Sequence, residues 1–244
     1  MQMKSNPYAH LLQRKRTWSP TIVSAGKLLD GGEDVIQRAL ALRCLEIPVG
    51  TFIADAMKGD LPDDPHCKPL LLSNVEDEIK HDKALDNAAK AHAVPARIEA
   101  EAQVIKNTWL ELDRHPVLKA LILERSVFFV VLPILRFLGD SGLRTISADI
   151  SRDEQTHVAA NALVCSSLGL QADTALDKLR KGTMGWILQS LNAENENRYL
   201  SSNFWQRCSQ SLYRQGKAPE LSDTRVSRQP AFFEISNVNL PSYS

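Results

Sequence analysis

The sequence predicts an all-α protein. Apolar side chains recur at intervals of three and four residues along most of the chain, which is the spacing of one helix face. Long runs of alternating polar and β-branched residues, typical of strands, are almost absent. With 244 residues, 43% of them apolar, the chain is long enough to bury a sizeable core.

The helices are predicted from this periodicity and from the Gly and Pro residues between segments. The first begins at Glu33, after Gly31-Gly32, and extends to Lys58 with a kink at Pro48. Further helices are predicted at 68–92, 95–115, 116–139 (bent by Pro133), 141–168, 173–191 and 194–215. From Lys217 the composition shifts to Pro, Ser, Asn and Arg, which predicts a helical domain over 1–216 and a flexible tail over 217–244.

Residues 116–138 form an apolar run that is long enough for a transmembrane helix. The run also contains Lys119, Glu124, Arg125 and Arg136, and ionised groups are costly at bilayer depth. A helix that is apolar nearly all round is equally typical of the centre of a globular core. We therefore expect a buried central helix and no membrane association.

Charge and cysteine content narrow the class of protein further. The 29 basic and 29 acidic side chains balance, which argues against a general nucleic-acid binder. The cysteines are scattered and form no C-x-x-C pair, which favours a reducing compartment. They are Cys44, Cys67, Cys165 and Cys208. The N-terminus shows no apolar secretory signal, so we expect a cytoplasmic protein, in a host cytoplasm if the gene is viral.

Two Glu-x-x-His motifs carry the clearest chemical signal. Glu78 and His81 form one, and Glu154 and His157 form the other. On a helix, positions i and i+3 share a face, so a carboxylate and an imidazole can reach the same point. Helical carboxylate proteins build two-metal sites from two such helices and from two further helices that each contribute one Glu.

Two glutamates are candidates for the remaining ligands. Glu124 is the only carboxylate in the apolar run, where an unpaired buried charge would be costly without a metal partner. Glu46 lies in an apolar stretch of the first helix, although Glu33 is on the same predicted helix. The order along the chain is then Glu, Glu-x-x-His, Glu, Glu-x-x-His. Four carboxylates and two imidazoles favour iron or manganese over zinc. The other histidines, His10, His66, His92 and His115, are predicted to be surface or capping groups.

These residues resemble the small (β, or R2) subunit of class I ribonucleotide reductase, a ferritin-like four-helix bundle with additional helices. Ile150-Ser-Arg-Asp153-Glu154-Gln-Thr-His157 is similar to the I-x-R-D-E-x-x-H of the family's metal-binding helix. LERSVFF around Glu124 is similar to its L-E-x-x-x-F-[YF], which places Phe128 beside the metals. Trp18-Ser-Pro is similar to its W-x-P. The resemblance covers roughly residues 15–170.

The resemblance implies a protein that binds two metal ions, Fe or Mn or both, and is activated by O2 or a related oxidant. It would supply a one-electron oxidising equivalent to a separate large subunit, which reduces ribonucleotides to deoxyribonucleotides. Trp18 and Asp153 match a hydrogen-bonded pair on the family's electron path. In the family a flexible C-terminal tail docks on the large subunit and carries a relay tyrosine. Here Phe232, Phe233, Leu240 and Tyr243 are the candidates in the tail. A homodimer is also implied.

One departure affects the mechanism. The family's radical tyrosine lies one turn after the first Glu-x-x-His, where this chain has Leu85. The oxidising equivalent would then remain on the metals, in a manganese/iron or dimanganese centre. Tyr243 is one residue from the end, and Tyr199 and Tyr213 are alternative relay residues that as helix residues are more typical of packing.

Two other interpretations stay open. One is a stand-alone ferritin-like oxidase or oxygenase, including an R2-like oxidase, which shares the metal site but needs neither the Trp18–Asp153 pair nor a docking tail. The other is a metal-free helical binding or assembly protein in which both Glu-x-x-His motifs are accidental.

Overall fold

A computed structural model describes residues 6–221, and within them the protein is all-helical, with a single isolated β-bridge between Asn192 and Ser201. The helices in chain order are α1 (Pro7–Gln13), α2 (Glu33–Ala41), α3 (Glu46–Ala56), α4 (Cys67–Ala91), α5 (Ala96–Glu111), α6 (Pro116–Leu123), α7 (Phe129–Leu138), α8 (Ser141–Ser167), α9 (Thr174–Ile187) and α10 (Ser202–Gln215). A π-helical turn, Glu124–Phe128, joins α6 to α7, so Pro116 to Leu138 is one continuous rod.

Four helical rods enclose the centre of the molecule: α3, α4, the continuous helix from Pro116 to Leu138, and α8. α3 packs against α4 and α6, while α8 packs against α4, α6 and α7. The ring of neighbours is therefore closed, and each rod faces the same interior. α1 lies on α4 and α8, α2 on α5 and α7, and α9 and α10 lie against the π turn.

Most helices match the sequence-based prediction, but three segments differ. The predicted helix from Glu33 to Lys58 is divided by a 3₁₀ turn, Leu42–Leu45, so the break precedes Pro48, which is tolerated in the first turn of α3. The predicted helix 194–215 begins only at Ser202. Ser201 caps its N-terminus, because the Ser201 side chain accepts a hydrogen bond from the Phe204 amide. α1 was not predicted.

The C-terminal boundary also differs from the prediction. α10 ends at Gly216, which has a left-handed φ of 67°. Residues 217–221, assigned to the flexible tail, turn back onto the helices and bury Leu221. The remainder of the predicted tail, with Phe232, Phe233, Leu240 and Tyr243, lies outside the described residues.

The apolar run forms a helix in the interior of the protein. Residues of the rod from Pro116 to Leu138 are almost all buried, as predicted for a central helix. None of the helices within residues 6–221 is long and apolar enough to cross a membrane.

The Tyr199 ring stacks on Phe137 at 4.1 Å, and the Tyr213 hydroxyl donates to the Asp173 carbonyl at 2.8 Å, so both alternative relay tyrosines pack against neighbouring elements.

Candidate metal centre

The six side chains predicted as metal ligands meet in the interior of the four-rod ring. All are at most 1% exposed: Glu46, Glu78, His81, Glu124, Glu154 and His157. α4 and α8 each present a Glu and a His on one face, at the i and i+3 positions. α3 supplies Glu46 from its first residue, and the π turn supplies Glu124 from its first residue.

The π turn at Glu124 is held from outside by a short hydrogen-bond chain. The Ser209 hydroxyl on α10 donates to the Ser126 carbonyl at 2.6 Å, and the buried Arg180 on α9 donates to Ser209 Oγ at 2.6 Å. A π turn leaves backbone groups without their normal helical partners, and such turns occur frequently at functional sites. α9 and α10 therefore stabilise the local backbone that presents Glu124.

The ligand atoms form two half-sites. His81 Nδ1 lies 3.7 Å from Glu46 Oε2, and His157 Nδ1 lies 3.8 Å from Glu124 Oε1. The two imidazole rings stack with their centroids 5.4 Å apart. Each half-site thus has one imidazole nitrogen and one carboxylate of its own.

Glu78 and Glu154 lie between the two half-sites. Glu78 Oε2 is 3.5 Å from His81 Nδ1, while its Oε1 is 2.9 Å from His157 Nδ1. Glu154 Oε1 is 3.3 Å from His81 Nδ1 and 3.8 Å from His157 Nδ1. Both carboxylates can therefore serve either half-site, as bridging ligands would.

A carboxylate fixes the outer nitrogen of each histidine. His81 Nε2 lies 3.4 Å from Asp153 Oδ2, which accepts a 2.6 Å hydrogen bond from Trp18 Nε1. The structure therefore brings the predicted Trp18–Asp153 pair directly behind His81. Such an outer partner fixes the ring and leaves Nδ1 free to bind a metal.

The second histidine has an equivalent arrangement that the sequence reasoning missed. His157 Nε2 lies 3.2 Å from Asp77 Oδ2, and the Lys15 amine hydrogen-bonds to Asp77 and lies 3.3 Å from His157 Nε2. A signal was present, because Asp77 precedes Glu78 as Asp153 precedes Glu154, which makes both motifs Asp-Glu-x-x-His. Nothing local in the sequence indicates Lys15, which is 62 positions from Asp77.

The electrostatics reflect four carboxylates and two imidazoles in one dry interior. Burial and the neighbouring Glu78 and Glu154 raise the pKa of Glu46 well above its usual value, against the opposing effect of His81. Burial and Glu154 raise the pKa of Glu124 in the same way. Burial alone would raise the pKa of Glu78, but the two imidazoles lower it below the usual range.

Both histidines favour the protonated form in this metal-free cluster. Burial alone would lower the pKa of His157, but Asp77 and Glu78 raise it to about 10. Burial likewise opposes the charge on His81, yet Asp153, Glu154 and Glu46 raise its pKa well above the ordinary value. Protons thus balance the negative charge of the glutamates.

The donor set fits a metal centre. Nine ligand atoms here are buried and make no hydrogen bond of normal geometry among the described residues, although several lie within ion-pair distance of one another: both oxygens of Glu46, Glu78 and Glu154, Glu124 Oε1 and both Nδ1 atoms. Buried polar atoms normally have partners, so this concentration requires an explanation. One ligand atom from each of Glu78, His81, Glu154 and His157 lies within 4.8 Å of the others, and these four residues could hold a metal ion.

The other predicted site residues lie next to the cluster or outside the described chain. Leu85 is one turn beyond His81 on α4, Ile150 is one turn before Glu154 on α8, and Phe128 ends the π turn. All three are at most 1% exposed. Their role beside a metal stays a prediction, as does that of Tyr243, which lies beyond residue 221.

Comparisons with known proteins identify no relative. No protein-family model, curated protein or solved structure matches the chain. Function is therefore inferred from the geometry of this site and from the sequence motifs.

Proposed function

We propose that this protein is a di-metal oxidoreductase subunit that generates a one-electron oxidising equivalent and delivers it to a partner protein, as the small subunit of class I ribonucleotide reductase does. The observation that carries the proposal is the arrangement of Glu46 with His81 and of Glu124 with His157, with Glu78 and Glu154 between the two pairs. This provides ligands for two ions.

The chemistry of the donors favours iron or manganese. Oxygen-rich sites with two imidazoles suit these metals, whereas zinc sites generally use fewer ligands and more Cys or His. Two divalent cations would also compensate the four buried carboxylates, which otherwise depend on protons. When bound, such ions supply O2 activation and one-electron redox chemistry, while the protein controls their ligands and access.

The residues behind His81 provide a path for electrons between the cluster and the edge of the helical body. Trp18 donates to Asp153, and Asp153 contacts His81 Nε2, so an aromatic side chain is linked to a ligand through one carboxylate. Trp18 is half-buried, at the edge of the helical body. In the proposed function Trp18 passes an electron inward while Asp153 holds the indole proton and fixes the orientation of His81.

Storage and delivery complete the proposal. Leu85 occupies the position at which the resembled family has its radical tyrosine, so bound metal ions would themselves hold the oxidising equivalent. The partner is the large catalytic subunit, contacted through the tail and Tyr243. The active form of this chain is a cytoplasmic homodimer that supplies the large subunit, which makes deoxyribonucleotides for DNA replication.

The test starts with anaerobic loading of the full chain with Fe(II) and Mn(II), followed by exposure to O2. We expect two ions per chain, a metal-centred electron paramagnetic resonance signal, and nucleotide reduction when a class I large subunit is added. A chain truncated after Leu221 should load metal normally and lose nucleotide reduction. A Glu154→Ala chain is the matched control for loading, because it retains the tail and lacks a shared ligand. A sharp tyrosyl signal, or unchanged nucleotide reduction after truncation, would contradict the proposal.

A stand-alone di-metal oxygenase is the second candidate. The observation that favours it is the near-equivalence of the two half-sites, because Lys15, Asp77 and His157 mirror Trp18, Asp153 and His81 without an aromatic relay. Leu85 adds an apolar side chain beside the cluster. Oxidation of a small apolar substrate by the loaded chain alone, undiminished by truncation after Leu221, would select this candidate.

A further inference from the structure

The two Asp-Glu-x-x-His helices run antiparallel, which fixes what lies at each end of the cluster. Asp77 contacts His157, and Asp153 contacts His81. The later residue on α4 therefore pairs with the earlier residue on α8. The same register can be followed one helical turn beyond the cluster at each end. It places Asn74 on α4 opposite Asn161 on α8 at one end, and Leu85 on α4 opposite Ile150 on α8 at the other.

The four flanking residues each lie one helical turn from a proposed ligand, on the face that the ligand occupies. Asn74 precedes Glu78 by four positions, and Asn161 follows His157 by four. Both asparagines are 0% exposed. The His81 end is closed by two hydrocarbon side chains, whereas the His157 end is closed by two amides.

The amides at the His157 end lack sufficient partners. Asn161 Nδ2 donates to Glu124 Oε2 at 2.7 Å. Asn161 Oδ1 and both polar atoms of Asn74 make no hydrogen bond within residues 6–221. Leaving a buried donor or acceptor unsatisfied costs about 1–3 kcal/mol per group, so a fully buried amide with two unpaired atoms points to a bound ligand.

We propose that Asn74 and Asn161 form a binding site for one small O–H molecule, water or hydrogen peroxide, beside the half-site of Glu124 and His157. The inference deepens the proposed function, on which it rests, by placing a small-molecule site beside one of the two half-sites. An amide NH₂ of Asn74 donates to the ligand oxygen, and the free Asn161 carbonyl accepts its hydrogen. The ligand must therefore both accept and donate a hydrogen bond.

The residues at the His81 end explain why the small O–H molecule is assigned to the His157 end. Polar sites that offer several partners hold ordered water, whereas apolar cavities stay dry. Leu85 and Ile150 offer no hydrogen-bonding side-chain atom to a water at the His81 end. The Trp18 side of the centre therefore lacks an amide pair of this kind, and the small O–H molecule is held at the side of Lys15 and Asp77.

The test uses metal-free crystals of the full chain, so it does not depend on metal loading. In the wild type we expect a density peak within about 3.2 Å of Asn74 Nδ2 and Asn161 Oδ1. A peroxide soak separates the two sources: an elongated two-atom peak identifies an oxidant site and an unchanged round peak a water site, and either supports the inference. No peak, or a direct Asn74–Asn161 hydrogen bond, overturns it.

A variant pair provides a second readout in solution. In the wild type, the Asn161 side-chain amide should show a magnetisation-transfer cross-peak to a long-lived water, and Asn74→Leu should lose it. Leu71→Met is the matched control, a buried volume-conserving change on the same helix that should retain the signal. A water cross-peak that persists in Asn74→Leu, or is absent from the wild type, overturns the inference. Failure of the wild type to bind metal would instead refute the proposed function.

Discussion

Metal binding should release protons from the buried cluster, up to four per chain. The raised pKa values of Glu46, Glu124, His81 and His157 favour the protonated form of each of these groups when no cation is bound. A metal ligand must be deprotonated. Where all four groups are protonated, two divalent ions replace four protons, and the net charge of the buried cluster does not change.

This stoichiometry makes affinity strongly dependent on pH. Each released proton changes the overall binding free energy by about 1.4 kcal/mol per pH unit, so four would give about 5.5 kcal/mol per unit for the two ions together. Affinity rises with pH while all four groups are protonated in the free protein, and the slope decreases as pH passes their pKa values. At the upper end of the pH range, His157 ceases to contribute a released proton near its pKa of about 10.

The assay is anaerobic calorimetric titration with Mn(II) at fixed pH in two buffers of different ionisation enthalpy. The difference in apparent heat gives the number of protons released. Glu124→Gln is the matched variant, because it removes one titrating group from an otherwise intact cluster and should reduce the count by about one wherever ions still bind. Release of one proton or none by the wild type would refute the electrostatic description.

Four further perturbations follow from the same contacts. Glu78→Ala should abolish loading of both ions, measured by metal analysis, because Glu78 lies between the two half-sites; retention of two ions would contradict its shared position. Trp18→Phe should retain two ions and reduce electron delivery to the partner to background in stopped-flow measurements, whereas loss of metal would show that Trp18 is structural. Lys15→Met should weaken metal affinity roughly tenfold in competition with a chelator, since outer partners of ligands typically contribute 10–100-fold, and unchanged affinity would contradict this. Arg180→Ala should destabilise the fold by about 3 kcal/mol in urea unfolding, because it leaves the Asp177 contact and Ser209 without their buried partner; a change below about 1 kcal/mol would refute that role.

The sequence predicted those parts of the site that depend on local spacing. Glu78 with His81 and Glu154 with His157 are i and i+3 pairs, and helical periodicity alone places each pair on one face. Glu124 was identifiable as the only carboxylate of an apolar run, and Glu46 by its apolar surroundings. The structure brings all six of these side chains together.

The parts that escaped prediction depend on contacts between distant segments or on backbone irregularity. The 3₁₀ turn before Glu46 and the π turn at Glu124 change the helical register by less than a turn, which periodicity does not resolve. Lys15 reaches Asp77 because α1, which ends two residues before it, packs against α4 and α8. The unpaired amide of Asn74 becomes apparent only once burial is known.

Anomalous X-ray scattering at the iron and manganese edges, on crystals of the reconstituted full chain, tests the central claim most directly. The account predicts two peaks about 3.5–4 Å apart, one beside Glu46 and His81 and the other beside Glu124 and His157, with Glu78 and Glu154 reaching both. A cluster without anomalous peaks after reconstitution, or a single ion bound elsewhere on the protein, would contradict it.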